Sequence, residues 1–259
     1  MRENRTKGII CLDDEYGFTY VVSEIEYIER EDESFTYIFR PNYSVIDLLE
    51  SKLFQGIPGL DLDLRREEYV RDNIMPVFIS ERSPQKNREN LIELLEAVGM
   101  DYWNPLEWLI RTDTKYSGDR LYVERYEPIR QSFEVESASV LGTRSSIVCR
   151  KLLEHICRGD IVTSSEITIN DDNRQEIYNL LMILYAKDKK YIDDRRRAGI
   201  ATATANGKYK GRARTKIDSL KLAETISEYT AGELTGDEAS SRLGISRSTF
   251  LRRVKESHG

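Results

Sequence analysis

The sequence has almost no histidine. His155 and His258 are the only two in 259 residues, so a His-based catalytic triad or a His-rich metal site has little to be built from. Cysteine is nearly as sparse. Cys11, Cys149 and Cys157 cannot all pair within the chain and show no metal-ligand spacing. That usage fits a reducing, cytoplasmic setting, with Cys149 and Cys157 as buried thiols in a helical pattern. No apolar run approaches the ~20 residues of a membrane helix. The opening MRENRTKG lacks the apolar region of a signal peptide. A Gly-rich phosphate loop and the H-R-D and D-F-G patterns of kinases are also missing. Neither a metal nor a cofactor is expected, and no membrane partner.

One more absence is local. Residues 195–216, RRRAGIATATANGKYKGRARTK, contain eight Lys or Arg and no Asp or Glu, in a chain of net charge −6. Acidic residues are concentrated elsewhere. Residues 1–128 hold 16 basic and 27 acidic side chains, a net −11, and the remainder is net +5. A basic run in an acidic protein is the electrostatic footprint of phosphate binding, whereas the acidic half would repel a phosphate backbone. Within the run, Lys208, Lys210, Gly211, Arg212 and Arg214 suit an extended arm that follows a DNA groove. A flexible, solvated linker is the alternative. The length gives room for one to three domains, and 39% hydrophobic with 32% charged residues fits soluble cores.

After the basic run the pattern is helical. Asp218 can cap a first helix in which Leu220, Ala223, Ile226 and Ser227 fall at helical spacing, stopped at Ala231-Gly232. Thr235 and Glu238 have capping-box spacing and open a second, short helix. It ends at Leu243-Gly244, where Gly244 suits a left-handed turn. Ile245 points inward and Ser246 caps a third helix with Phe250, Leu251 and Val254 facing in. Arg247, Ser248, Arg252 and Arg253 are expected on its outer side. Two helices joined by a tight Gly-containing turn make a helix-turn-helix, whose second member enters the major groove. The alternative is a small helical domain with a solvated basic face.

RRRAGIATATANGKYKGR followed by SRLGISRSTFLRRV resembles the C-terminal part of serine recombinases, the resolvase/invertase family, over residues 185–254. In that family a long dimerisation helix leads into a Gly-Arg arm in the minor groove and then into a helix-turn-helix. The resemblance implies that Gly211 and Arg212 lie in the minor groove and that Ser248 and Arg252 read bases in the major groove. Arginine suits bidentate contact with guanine. Arg212-Ala213-Arg214 departs from the pattern, since many members have proline after the arginine. Upstream, RKLLEHICRGDIVTSSEITINDDNRQEIYNLLMILYAKDKKYIDD is similar to the second half of the family's catalytic domain. Arg158-Gly159-Asp160 and Ile161-Val162 match its turn and strand. The two loop arginines that stabilise the transferring phosphate fall on Ile169 and Asp172, neither of which can do that electrostatic work. No Y-x-R-V-S-T-like segment with a nucleophilic serine is found. The resemblance therefore implies DNA binding and dimerisation and argues against strand exchange. A working active site would need a serine near basic residues. Ser145 or Ser146, beside Arg144 and Arg150, is the one cluster of that kind.

The N-terminal half begins with strand signals: GIICL, FTYVVSEIEYIE and FTYIFR, the last two joined by a hairpin loop at 31–34. Phe35, Tyr37 and Phe39 share one face and read as sheet core. A short helix is expected over SVIDLLESKLF, a loop over GIPGLDLDL, and helix or near-helix over 65–73. Leu91, Leu94, Leu95 and Val98 make an amphipathic helix ended by Gly99. Asn104-Pro105-Leu106-Glu107 starts another, with Trp103 and Trp108 as core anchors, and SGDRLYVERY reads as a strand. The stretch MPVFISERSPQKNRENLIELLEAVG distantly resembles the N-terminal subdomain of HipA-type toxin kinases, which implies a protein-interaction or sensing module.

The Ser-rich stretch 131–143 reads as a domain boundary. Residues 144–158 read as a helix with Val148, Leu152 and His155/Ile156 on one side. Asp172-Asn173 caps a long helix in which Ile177, Leu180, Leu181 and Leu184 line a stripe, with Tyr185 and Tyr191 near it. That stripe is either a dimer seam or packing on its own domain. The expected architecture is an α+β domain over 1–130, a degenerate recombinase-like α/β segment with the long helix over 144–198, a basic DNA arm over 199–216, and an all-α helix-turn-helix domain over 217–259. The expected function is sequence-specific binding of double-stranded DNA by a regulator or accessory factor. It would be homodimeric through the 173–194 helix, with a protein partner for the N-terminal domain. It is expected in the cytoplasm on the nucleoid, in a bacterium or mobile element. An active recombinase, or an interaction protein tethered to DNA by its tail, are the other readings.

Overall fold

Alternating β-branched, aromatic and polar residues build a meander of three antiparallel strands: β1 (Glu3–Asp13), β2 (Thr19–Arg30) and β3 (Phe35–Pro41). The first turn is fixed by Asp14, whose Oδ1 accepts the amides of Tyr16 and Phe18, both at 2.9 Å. The second is the expected hairpin, in which Asp32 accepts from the amide and hydroxyl of Ser34 and Glu33 takes φ +64°. The computed structural model describes residues 3–116, 118–208 and 215–257. Two compact units divide the chain, Met1–Ile192 and Asp193–Gly259, in a mixed α+β architecture.

Short elements follow the meander: α1 (Tyr43–Ile46), β4 (Tyr69–Asp72), α2 (Val77–Ser80), α3 (Leu91–Ala97), α4 (Pro105–Thr112) and β5 (Tyr122–Arg125). β4 and β5 complete an antiparallel sheet of order β4-β3-β2-β1-β5. α4 starts as its sequence predicts, with the Asn104 side chain accepting the Glu107 amide at 3.0 Å and Pro105 in the first turn. Two expectations fail. The helix over 44–54 is one turn, after which the amides of Leu48, Leu49 and Leu53 bond back only three residues. Residues 65–73 are not helical. Arg65, at φ +45°, ends a short 3-10 turn, and residues 69–72 extend along β3. That pairing satisfies the outer main-chain groups of β3, which local helix would leave bare.

The sheet buries both faces unequally. Ile10, Leu12, Tyr20, Val22, Tyr37 and Phe39 point into the main core, while Ile9, Cys11, Val21 and Tyr122 make a small cluster behind it. Trp103 and Trp108 are half-buried, 6.1 Å apart, at the margin of this core and not at its centre.

Beyond the first sheet come β6 (Ser132–Glu134), α5 (Ala138–Leu141), α6 (Ser145–Arg158), β7 (Ile161–Thr163), β8 (Thr168–Ile169) and α7 (Arg174–Ala205). The strands form a small sheet of order β6-β7-β8, parallel then antiparallel. Residues 131–143, expected as a boundary, carry a strand of this sheet. Leu153, Ile156, Cys157, Val162, Ile169 and Tyr178 join the same apolar core as the first sheet, so 144–192 is not separate from the N-terminal half. α6 buries Ile156 as expected, with Leu152 half-buried against the core, and adds Leu153 and Cys157, which the sequence pattern did not place inward.

A polar joint holds these parts. Gly159 ends α6 at φ +80°. The buried Arg174 guanidinium donates to the carbonyls of Asp160 at 2.8 Å and Gly159 at 3.0 Å. Burial pulls its pKa below the ordinary arginine value, against the nearby Asp171 carboxylate. Asp160 accepts the Gln131 amide at 3.0 Å and meets His155 Nδ1 at 2.9 Å. Asn42 donates to the carbonyls of Val21 and Arg158.

α7 turns Ile177, Tyr178, Leu181, Met182 and Tyr185 toward the core. Leu180, Ile183 and Leu184 are more than half exposed, so the expected stripe splits between two sides. Asn173 bonds back to Thr168 and Asn170 instead of capping the helix. Among the described residues, no helix is long and apolar enough to cross a membrane.

A Cβ at position 159 would stand 2.8 Å from Asn42 Nδ2 and 3.1 Å from Ser44 Oγ, on a left-handed backbone. Gly159→Ala is expected to destabilise the first unit by about 1–3 kcal/mol, read as a lower denaturant midpoint at unchanged slope. A variant as stable as the parent would show that this turn is not constrained.

Candidate nucleic-acid interface

The basic run does not begin as an extended arm. α7 continues through residues 195–205, and the hydroxyls of Thr202 and Thr204 bond to carbonyls four residues back. Alanine and threonine without proline sustain the helix there. The chain leaves it near Gly207, at φ +63°, and Lys208 is exposed just beyond. Lys210, Gly211, Arg212 and Arg214 lie outside the described residues.

Three helices follow: α8 (Ser219–Thr230), α9 (Gly236–Arg242) and α10 (Arg247–Ser257). Asp218 caps α8 by accepting the amides of Leu220 and Lys221. Its inward side is Leu222, Thr225, Ile226 and Tyr229, whereas Leu220 is 77% exposed. The expected stripe through Leu220 and Ala223 is therefore displaced around the helix. The neighbours decide this: the Tyr229 ring meets Phe250 edge-on at 5.2 Å, and Phe250 is fully buried. α9 carries the capping box read from its sequence, with the Thr235 amide donating to Glu238 at 2.8 Å and the Glu238 amide to Thr235 Oγ1 at 3.3 Å. An ion pair between Arg242 and Glu228 pins α9 to α8. The turn into α10 closes through the amides of Gly244 and Ile245, which bond to Ser241 and Ser240. Gly244 takes φ +64°, where a side chain would be strained. Ser246 Oγ accepts the Thr249 amide at 3.3 Å.

Of the four residues expected on the outer side of α10, three are there. Arg247 is exposed and reaches Asp237 at 3.5 Å. Ser248 is exposed, its hydroxyl 3.1 Å from that of Ser246. Arg252 is exposed and makes no ion pair among the described residues. Arg253 is the exception. Its side chain is 17% exposed, meets Glu256 at 3.3 Å and donates to the Thr215 carbonyl at 3.4 Å. It lies three residues after Phe250, on the inward side of the helix, and ties the segment before α8 to α10. Sequence reasoning missed Lys255. It is exposed and falls at i+7 from Ser248 and i+3 from Arg252, so helical spacing alone puts it in their row.

The serine cluster has a different setting. Ser145 and Ser146 border a hollow of about 820 Å³ lined chiefly by apolar side chains, among them Leu152, Leu184 and Tyr191. Neither hydroxyl has a base partner among the described residues, and Arg150 is engaged by Glu154 at 2.9 Å. The nucleophile–base contact that covalent catalysis requires is not assembled there. Ile169 is buried in β8 and Asp172 sits in an exposed turn. The nearest arginine in sequence, Arg174, is committed to main-chain carbonyls. Burial raises the thiol pKa of both Cys149 and Cys157, which disfavours the thiolate.

No protein-family model matches the chain, and no curated protein compared with it does so either.

The two neighbouring arginines are expected to respond differently to truncation. Arg253→Ala should cost about 1–2 kcal/mol of stability by removing a partly buried stem and its bonds. Arg252→Ala should stay within about 0.5 kcal/mol. Thermal melts of both variants test this, and equal melting points would contradict the inward position of Arg253.

Proposed function

We propose that this protein is a sequence-specific double-stranded DNA-binding protein of the helix-turn-helix type. It derives from a serine recombinase and acts as a regulator or accessory factor without strand exchange. The observation that carries the reading is the row Ser248, Arg252 and Lys255, exposed at i, i+4 and i+7 on the second of two helices joined by the Gly244 turn. In this reading α10 lies in the major groove, Arg252 contacts a guanine edge, and Arg247 and Lys255 contact phosphate. Lys208 and the arm residues Lys210, Gly211, Arg212 and Arg214 track the minor groove. The exposed Leu180, Ile183 and Leu184 of α7 support a homodimer, which would present two copies of α10 to a two-fold related site. The acidic N-terminal half repels phosphate and serves a protein partner.

Selection of bound DNA from a random pool by the intact protein tests the reading, followed by titration of the selected and a scrambled sequence at two salt concentrations. A symmetric motif with a strong preference is expected. Weak, steeply salt-dependent binding without a motif would leave only phosphate contacts. Arg252→Ala is expected to cost about 1–3 kcal/mol at the selected site and to relax preference at one position. An equal loss on every sequence would mean that it touches only the backbone. Arg212→Ala is expected to weaken binding most where the minor groove is A·T-rich, and a loss independent of groove sequence would remove the arm from the reading.

A further inference from the structure

Far along the chain from the basic segment, the first sheet leaves one end of its inner face open. On that face Ile25 stands opposite Phe39, Tyr27 opposite Tyr37, and Glu29 opposite Phe35. The Ile25–Phe39 and Tyr27–Tyr37 pairs are both buried in the core. Tyr27 and Tyr37 floor a cavity of about 430 Å³, with the half-buried Glu29, Phe35 and Trp103 and the exposed Met75 among its walls. That volume falls within the range of small-ligand sites. The rings are crowded together. Tyr27 is 4.8 Å from Tyr37 and 6.2 Å from Phe35, and Phe35 is 5.9 Å from Tyr37. Half-buried Phe35 and Trp103 thus border the hollow, with the buried Tyr27 and Tyr37 rings as its floor.

Its charge is equally particular. Glu29 is half-buried and forms no ion pair among the described residues. One position before Tyr27, on the other side of the strand, Glu26 is held by Arg5 and Arg40. Glu33 lies at the rim on a left-handed turn, and among the described residues Lys86 is the single basic one of the lining. Two carboxylates against one ammonium leave the hollow net negative. Burial, and then the Glu29 charge, push the Tyr27 phenol up to about 12, so its ring is neutral and electron-rich at physiological pH.

We propose that this cavity binds an alkylammonium head group, methylated or quaternary, carried either by a free small molecule or by a modified lysine. Aromatic faces attract a cation through their quadrupoles, and a methylated ammonium sheds its water more cheaply than a metal ion or a bare ammonium. A divalent metal would need several oxygen ligands in place of rings, and an anion would meet Glu29. This inference does not depend on DNA binding.

Choline is the first probe. It is titrated into the full-length protein, followed by calorimetry and by the fluorescence of Trp103 and Trp108, the only two tryptophans. The control is 3,3-dimethylbutanol, which has the same shape and no charge. Choline is expected to saturate and to bind about tenfold more tightly than the neutral isostere. Glu29→Gln is expected to lose most of that difference while melting like the parent. Trp103→Ala is expected to weaken choline binding. A trimethyllysine peptide and its unmethylated counterpart identify the source. Preference for the methylated peptide over choline points to a modified protein, and the reverse to a free small molecule. Equal binding of choline and the isostere would reduce the cavity to an apolar hole. The absence of saturation by choline or the methylated peptide up to about 10 mM would overturn the proposal, as would a folded Glu29→Gln protein that binds choline as the parent does.

Discussion

The larger unit depends on a charge kept out of water. Arg174 opens the long helix, yet its guanidinium is buried against the end of α6. Placing an arginine there costs several kcal/mol unless its donors are met. The carbonyls of Gly159 and Asp160 meet two of them, and Asp171 adds a weaker contact at 3.4 Å, while Nε has no partner. Those carbonyls belong to a left-handed turn, which needs Gly159. The same turn leaves Asp160 free to hold both Gln131 and His155, so β6, α6, β7 and α7 meet at one point. Remove the guanidinium and the carbonyls, the carboxylate and the loop before β6 all lose their reason for that arrangement.

What was legible in the sequence was local chemistry. Thr235 with Glu238, Asn104 with Pro105, the 31–34 hairpin and Gly244 are each decided within four residues. Each was found where its side chains predict. What misled was anything decided by a distant partner. Leu220 satisfies helical periodicity as well as Leu222 does, and only the position of Phe250 chooses between them. Residues 69–72 have weak strand character alone and become a strand because β3 offers an edge. The 131–143 stretch is polar enough to pass for a linker, yet β6 needs only three residues to pair with β7. Arg253 has the charge of its neighbour Arg252, and one helical step separates an outward cation from an inward one.

Arginines are paired with carboxylates in both units. In the first unit Arg5, Arg40, Arg65, Arg111, Arg125 and Arg130 all lie against carboxylates of the same unit. Such pairs at the surface contribute little to stability individually. Their effect is to cancel field locally. On α10, Arg252 and Lys255 have no such partners among the described residues. An uncompensated cation on a rigid helix projects its field outward.

The three-helix unit has a thin interior. Ala239 and Phe250 are its only fully buried apolar residues among those described, joined by the small or polar Thr225, Gly236 and Ser240. A bundle of about 40 residues with one large anchor lies near the lower limit of independent folding. Its folded fraction is therefore open to mass action. A ligand that binds only the folded form, present at about a hundred times its dissociation constant, adds about 2.7 kcal/mol, a sum comparable to what so small a core can hold in reserve. Occupancy and folding then become two readings of one equilibrium. Proteases and chaperones would sample the unit chiefly when nothing is bound to it.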